Sequence, residues 1–198
     1  MAAVPSPSGS TSYWFIPFDP NNTTNKISST SPTPPRSVTI FVKNLVITGA
    51  NSAMVMRVAT SSGTGVVTAT YGGIGTYTTS NGNGSITNVN TNLSSATSMN
   101  IYVPTNSFLI STTSGRPLTG TIDISWYIPT SGNGQINVCS NLGCYDSGGN
   151  QTQQVSNVYY NDTYSNVGNV IGVSLILTAS GSPFFSSGCV ADVMMERL

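Results

Sequence analysis

Residues 122–128 read Ile122-Asp123-Ile124-Ser125-Trp126-Tyr127-Ile128. Every second side chain of this stretch is large and apolar, so an extended chain has one apolar face here. The same period of two recurs at Val38, Ile40 and Val42, and again at Ile171, Val173, Leu175 and Leu177. The three stretches predict β-strands with one side buried.

Further runs of β-branched and aromatic residues are separated by clusters of Gly, Asn, Ser and Pro. They lie near residues 53–60, 64–71, 74–79, 84–90, 99–104, 107–112, 134–139, 153–160 and 189–196. Residues 81–84, 131–134 and 147–150 have turn chemistry, because Gly and Asn accept positive φ. Short strands with turns roughly every 8 to 12 residues predict an all-β antiparallel β-sandwich, either jelly-roll or immunoglobulin-like. Residues 190–197 fit a closing strand or a short helix.

Residues 1–36 are predicted to form an extended Pro/Ser-rich arm, and residues 37–198 a single β-sandwich domain. The first segment holds Pro5, Pro7, Pro17, Pro20, Pro32, Pro34 and Pro35, which oppose a regular helix. Its aromatic cluster consists of Tyr13, Trp14, Phe15, Ile16 and Phe18. We interpret these five residues as an inter-subunit anchor that docks on a neighbouring subunit. The alternative is that they form the first strand of the chain's own sandwich.

The chain carries very little charge. It has 6 Lys+Arg, 6 Asp+Glu and no His, against 30 Ser, 26 Thr and 20 Asn residues. Few carboxylates take up protons on acidification, so such a surface suits an acidic habitat. It suits a secreted, glycosylated or densely packed protein of any habitat equally well. The net charge of zero argues against nucleic acid as a partner, since basic faces bind phosphates.

The composition favours a protein that is not an enzyme. Without His, the commonest general base and metal ligand is missing, so we predict no catalytic, cofactor-binding or metal-binding residues. The acidic residues are scattered singly, except for Asp192 and Glu196 near the C-terminus. A glycosidase-type pair of carboxylates from distant positions is the remaining catalytic alternative.

Three cysteines are present. Cys139 and Cys144 have four residues between them, and a disulfide between these two would close a small loop at a strand end. Three reduced thiols, or a bridge to Cys189, are the alternatives. Three thiols without His make a poor zinc site, which needs four ligands.

Two features bear on sugars. Asn-x-Ser/Thr sequons predict glycosylation sites at Asn21, Asn22, Asn83, Asn92, Asn150 and Asn161. The tyrosines and tryptophans include candidates for a sugar-stacking face, although such residues on strands are more often core or rim residues. A glycan on a host surface is therefore considered as a partner.

The first ten residues have neither the basic nor the apolar region of a secretory signal. No apolar run approaches the roughly 18 residues of a membrane-spanning helix, so no membrane span is predicted. Either a signal has been removed, or the protein is made inside a cell and leaves it as part of a particle, and we favour the second alternative.

The aromatic segment at residues 13–18, the strand pattern and the charge-poor surface resemble structural proteins of archaeal viruses from hot acidic habitats, of the capsid, vertex or turret type. They are also similar, more weakly, to archaeal thread-like pilus subunits, which donate an N-terminal strand to the next subunit. The resemblance implies a non-enzymatic structural protein located in a virion, with self-assembly and other particle subunits as its partners. The alternatives are an extracellular filament subunit at the cell surface and a carbohydrate-binding surface module.

Overall fold

The computed structural model describes residues 1–28, 36–65, 70–80, 86–102, 117–145, 151–178 and 180–196. Within this part of the chain, fourteen strands and one short helix follow one another. The elements are β1 (Ala2–Ala3), β2 (Tyr13–Pro17), β3 (Ser37–Leu45), β4 (Ile47–Thr48), β5 (Met54–Ala59), β6 (Thr70–Ser80), β7 (Ile86–Ala96), β8 (Met99–Tyr102), β9 (Leu118–Tyr127), β10 (Asn133–Tyr145), β11 (Gln151–Thr163), α1 (Tyr164–Gly168), β12 (Gly172–Leu177), β13 (Phe184–Phe185) and β14 (Ala191–Glu196).

The strands form two main sheets. The large sheet has eight strands in the order β1-β14-β3-β9-β10-β11-β6-β7, and the small sheet has four in the order β2-β12-β5-β8. Strands β13 and β4 make a separate two-stranded pair. Each strand pair is antiparallel, from β1 with β14 to β6 with β7.

The prediction of an all-β antiparallel sandwich is confirmed, since the described part of the chain contains fourteen antiparallel strands and one helix of five residues. The stretch that begins at Ile122 lies in β9, near the middle of the large sheet. Residues 191–196 form the closing strand β14 rather than a helix. The eight-plus-four division differs from the seven to nine strands of an immunoglobulin domain and from the eight of a jelly roll.

The core lies between the two sheets. Ile122 and Ile124 of β9 and Val173 and Leu175 of β12 are buried in one apolar cluster, as the alternation in the sequence requires. The ring of Phe18, just after β2, stacks on Trp126 of β9 with 5.4 Å between the centroids. These contacts join the large sheet to the small one.

The N-terminal segment is part of this sandwich, so the predicted boundary at residue 36 is wrong for the described residues. Strand β1 pairs with β14, and β2 pairs with β12 along the edge of the small sheet. The backbone N–H of Ile27 donates to Val170 O at 3.0 Å, and that of Ser28 to Gly168 O at 3.1 Å. Residues 1–28 therefore belong to the same folded unit as the described residues between 36 and 196.

Two buried tyrosines make the fold less stable at alkaline pH than at neutral pH. Tyr71 Oη accepts a hydrogen bond from Val58 N at 3.3 Å, and Tyr160 Oη donates to Asp162 Oδ2 at 3.0 Å. Burial raises the pKa of both phenols above the ordinary value of 10.0, and the neighbouring Asp162 raises that of Tyr160 further. Their contribution to stability is complete below pH 10 and is lost as the pH rises, because only the unfolded chain then releases these protons.

We expect the free energy of unfolding to fall above pH 10 by up to about 1.4 kcal/mol per pH unit for each of Tyr71 and Tyr160. Urea unfolding at a series of alkaline pH values measures this slope. The double variant Tyr71→Phe/Tyr160→Phe should be less stable at pH 7, because it loses two hydrogen bonds, but should decline less steeply above pH 10. An equally steep decline in the double variant would contradict the assignment.

Candidate interaction surfaces

The large sheet has one buried face and one outward face. On β10, Ile136, Val138 and Leu142 are buried, whereas the intervening Asn137 and Asn141 are exposed. The register carries this alternation across β3, β9, β10 and β11, so their outward residues line up in rows. We call the surface made by these residues the outer face.

Charged groups of the outer face are concentrated at β14, β3 and β9. Lys43 forms an ion pair with Asp192, and Ser37 Oγ donates to Glu196 Oε2 at 2.8 Å. On β9, Asp123 Oδ1 accepts a hydrogen bond from Thr39 Oγ1 at 2.6 Å. This side of the face is therefore held by polar cross-strand contacts.

The outward residues of β10 and β11 carry no charge among the described side chains, and most are amides. We call them the amide face. Gln153 Nε2 donates to Asn141 Oδ1 at 2.9 Å across the two strands, and Gln135 Nε2 donates to Asn137 Oδ1 at 2.7 Å along β10. The amide face is thus polar and carries no charge at neutral pH, with donors and acceptors side by side.

A shallow depression of about 360 Å³ lies on the outer face, where the charged side meets the amide face. Its size is at the lower end of the range for small-molecule sites. Two rows of outward residues surround it, one running from Ser37 to Tyr159 and the other from Thr39 to Asn157. Its outward-facing lining residues are Ser37, Thr39, Asp123, Ser125, Asn137, Cys139, Asn157 and Tyr159. The depression exists because small side chains occupy the middle of both rows.

Tyr159 lines the depression at its β11 border, and the residue is 38% exposed. Its neighbour across the sheet is Gly72 of β6. A Cβ at residue 72 would lie 2.6 Å from both Cζ and Oη of Tyr159, so the phenol occupies the space that a side chain at residue 72 would fill. Gly72 therefore sets the position of the ring.

The predicted inter-subunit anchor lies inside the chain's own fold, so that prediction is wrong for this structure. Trp14, Ile16 and Phe18 are buried in the core, while Tyr13 and Phe15 are half-buried on the other side of β2. The cause is the same period of two that marks the other strands, since alternate residues of β2 point into the sandwich. The alternative interpretation, a first strand of the sandwich, matches the structure.

The predicted Cys139–Cys144 disulfide is also wrong. Both residues lie in the continuous strand β10, and Cys139 is a free, exposed thiol. Five residues of extended strand separate their Cα atoms by roughly 16 Å, whereas a disulfide needs less than about 7 Å. Cys189 is free and buried, its thiol donates to Val46 O at 3.1 Å, and burial raises its pKa.

The six predicted glycosylation sites fall in three groups. Asn21 and Asn22 are exposed in the turn after β2, and Asn161 is exposed near the end of β11. Asn92 lies in β7, for which only the backbone is described. Asn83 and Asn150 lie outside the described residues. Attachment of sugar at these sites stays a prediction.

Within the described part of the chain, no three His, Cys, Asp or Glu side chains come close enough to hold a metal ion. The same residues contain no helix with the length and apolarity needed to cross a membrane. The sequence did not point to the depression. The signal it contained was weak: the outward positions of β9 and β10 are small or polar, whereas Tyr159 on β11 is large.

The fold and these surfaces define the chain as a two-sheet antiparallel β-sandwich with a neutral, amide-rich face. Comparison with protein families, curated proteins and solved structures finds no match to this chain.

Proposed function

We propose that the chain is a non-enzymatic structural subunit of a virion, as a capsid, vertex or decoration protein, and that it assembles through the edge of its large sheet. The observation that carries the proposal is β7, an eleven-residue strand that ends the large sheet. Among the described residues it pairs on one side only, with β6. Its sequence, from Ile86 to Ala96, contains neither a charged residue nor proline. A long edge strand of this kind readily pairs with another chain.

The other sheet edges are better protected. The opposite edge of the large sheet is β1, which has only two residues and covers the charged strand β14. In the small sheet, β2 has five residues and ends at Pro17, while β8 has four. Short strands and proline are the usual devices against unwanted pairing. The lack of such protection at β7 supports a role for that edge in assembly.

The neutral surface supports packing between copies. Burying a charge without a partner costs far more than burying an amide that keeps its hydrogen bonds. The part of the amide face outside the depression, which includes Asn141 and Gln153, could be covered by another subunit without desolvating a charged side chain. Many equivalent contacts of this kind can hold a particle together even where each one is weak.

The charge-poor composition, together with the resemblance to structural proteins of archaeal viruses, favours a virion over other particles. The alternative is an extracellular filament built from the same subunit. A closed assembly has point-group symmetry, whereas a filament repeats a head-to-tail contact helically. Particle symmetry in electron micrographs distinguishes the two.

The edge is tested by placing lysine in β7. We expect the purified chain to form oligomers whose population rises with concentration, and the variant Asn90→Lys/Asn92→Lys to remain monomeric, because charge on an edge strand opposes pairing. Light scattering coupled to size-exclusion chromatography measures both. The control is Asn21→Lys/Asn22→Lys, which adds the same charge in the exposed turn after β2, away from both β7 and the amide face. Oligomers that survive in the β7 variant, or a wild-type chain that stays monomeric, would overturn assembly through this edge.

A further inference from the structure

We propose that the depression on the outer face binds a short, neutral oligosaccharide. This inference goes beyond assembly and does not depend on it, because the depression lies over β3, β9, β10 and β11 and not at β7. Three properties of the depression lead to it: the aromatic ring at its border, its polar groups and its charge.

The aromatic ring is that of Tyr159, which lines the depression at β11. Its phenol extends from there over Gly72 of β6, where a ligand that crosses the depression can reach it. The apolar faces of sugar rings stack on aromatic side chains, and an exposed phenol on a rigid strand loses little entropy when it does so. Strand β11 is held on both sides by β10 and β6, and Gly72 leaves the space in which the phenol lies. The ring is therefore positioned before any ligand arrives. Tyr127 of β9, 65% exposed, is a second ring on the same outward side of the sheet.

The polar groups match sugar hydroxyls, which both donate and accept hydrogen bonds. Asn137 and Asn157 supply amide donors and acceptors, and Ser125 supplies a hydroxyl. Asp123 is the single carboxylate of the lining, and the hydrogen bond from Thr39 to its Oδ1 fixes its orientation. Its Oδ2 can accept from a sugar hydroxyl, which makes a charge-assisted hydrogen bond.

The charge of the depression selects among ligands. Its lining contains no Lys or Arg, so a phosphate, a sulfated sugar or an acidic sugar would meet Asp123 without a compensating cation. The depression reaches across four strands, about 14 Å at 4.8 Å per strand spacing, so an elongated ligand fits it better than a single small molecule.

Cys139 provides a direct readout, because this exposed thiol lines the depression. A bound sugar should shield it from iodoacetamide. Cys189 is buried and does not interfere, and Cys144→Ser removes the third thiol. Intact-mass spectrometry over time then gives the alkylation rate of Cys139 alone.

The probes are maltose, cellobiose, lactose and mannobiose, with sialyllactose as the acidic comparison. We expect at least one neutral disaccharide to bind with a Kd on the order of 1 mM, which suits a shallow site. At a sugar concentration on the order of 10 mM it should slow alkylation of Cys139 by about tenfold, since a site is about nine-tenths occupied at ten times its Kd. Saturation-transfer NMR should show the same sugar in contact with the protein.

Two variants and one control locate the site. Tyr159→Ala should weaken binding by about tenfold or more, as expected for loss of a central aromatic anchor. Gly72→Ala keeps the tyrosine but displaces its ring, and should weaken binding to a smaller extent. Tyr164→Ala removes an exposed tyrosine from α1, outside the depression, and should leave binding unchanged. Thermal unfolding confirms that each variant is folded.

The proposal is overturned if none of the four neutral disaccharides binds or protects Cys139, or if sialyllactose binds more tightly than all of them. It is overturned equally if the folded Tyr159→Ala variant binds as the wild type does. Failure of this experiment leaves the β7 assembly test unaffected, because the two use different residues and different measurements.

Discussion

Replacing Trp14 by alanine should lower the free energy of unfolding by about 3 to 5 kcal/mol, the usual range for a large aromatic side chain removed from a core. Trp14 is only 3% exposed, and its indole Nε1 donates to Pro5 O at 2.9 Å. Its ring lies 6.2 Å from that of Phe185 between centroids, at an interplanar angle of 56°. The substitution therefore leaves a cavity, removes an aromatic contact and leaves the Pro5 carbonyl without its partner. Urea unfolding followed by circular dichroism measures the change.

The matched control is Phe15→Ala, one residue along the same strand. Phe15 points to the other side of β2 and is half-buried, so its loss should cost only about 1 kcal/mol. Removal of residues 1–20 should leave no folded monomer, because it deletes β2 together with Trp14, Ile16 and Phe18. Equal costs for Trp14→Ala and Phe15→Ala, or a stable chain without residues 1–20, would show that β2 is not part of the folded core in solution.

The place of residues 13–18 in the sheet could not be predicted from the local sequence. Residues 13–18 form a continuous apolar run, so they lack the alternation with polar residues seen at Ile122, and the sequence alone does not tell which of them face the core. The surrounding prolines suggested an arm, but β2 is an edge strand, where proline is tolerated because one side needs no ladder hydrogen bonds. Which strand β2 pairs with is a contact between residues about 160 positions apart, and no local pattern specifies it.

For the cysteines, the short spacing between Cys139 and Cys144 is misleading as a sign of a disulfide. This close spacing favours a small loop at a strand end, but both residues lie inside the thirteen-residue strand β10. The outward alternation of Asn137, Cys139 and Asn141 was the better signal, since it continues the period of two. The depression could not be predicted in this way, because it depends on the register of four strands that are distant in sequence.

The second large effect is expected at Gly120 in β9. We expect Gly120→Ala to cost roughly 3 to 5 kcal/mol, from backbone strain and steric overlap together. Gly120 has a φ of +145°, and a Cβ there would lie 2.0 Å from the backbone oxygen of Asn141 on β10. That oxygen belongs to the middle of the large sheet, so it cannot move without disturbing the pairing of β9 with β10.

Two other glycines separate the causes of this effect. Gly132 has a φ of +86° but open space around it, so Gly132→Ala should show the backbone strain alone, about 1 kcal/mol. Gly63 has open space and no such φ, so Gly63→Ala should change stability by no more than about 0.5 kcal/mol. Urea unfolding of the three variants should rank them Gly63, Gly132 and Gly120 in order of rising cost. If Gly120→Ala costs no more than Gly132→Ala, β9 and β10 are not paired as closely as described. The outer-face depression would then lose its basis as well, because the same register brings Asp123 beside Cys139.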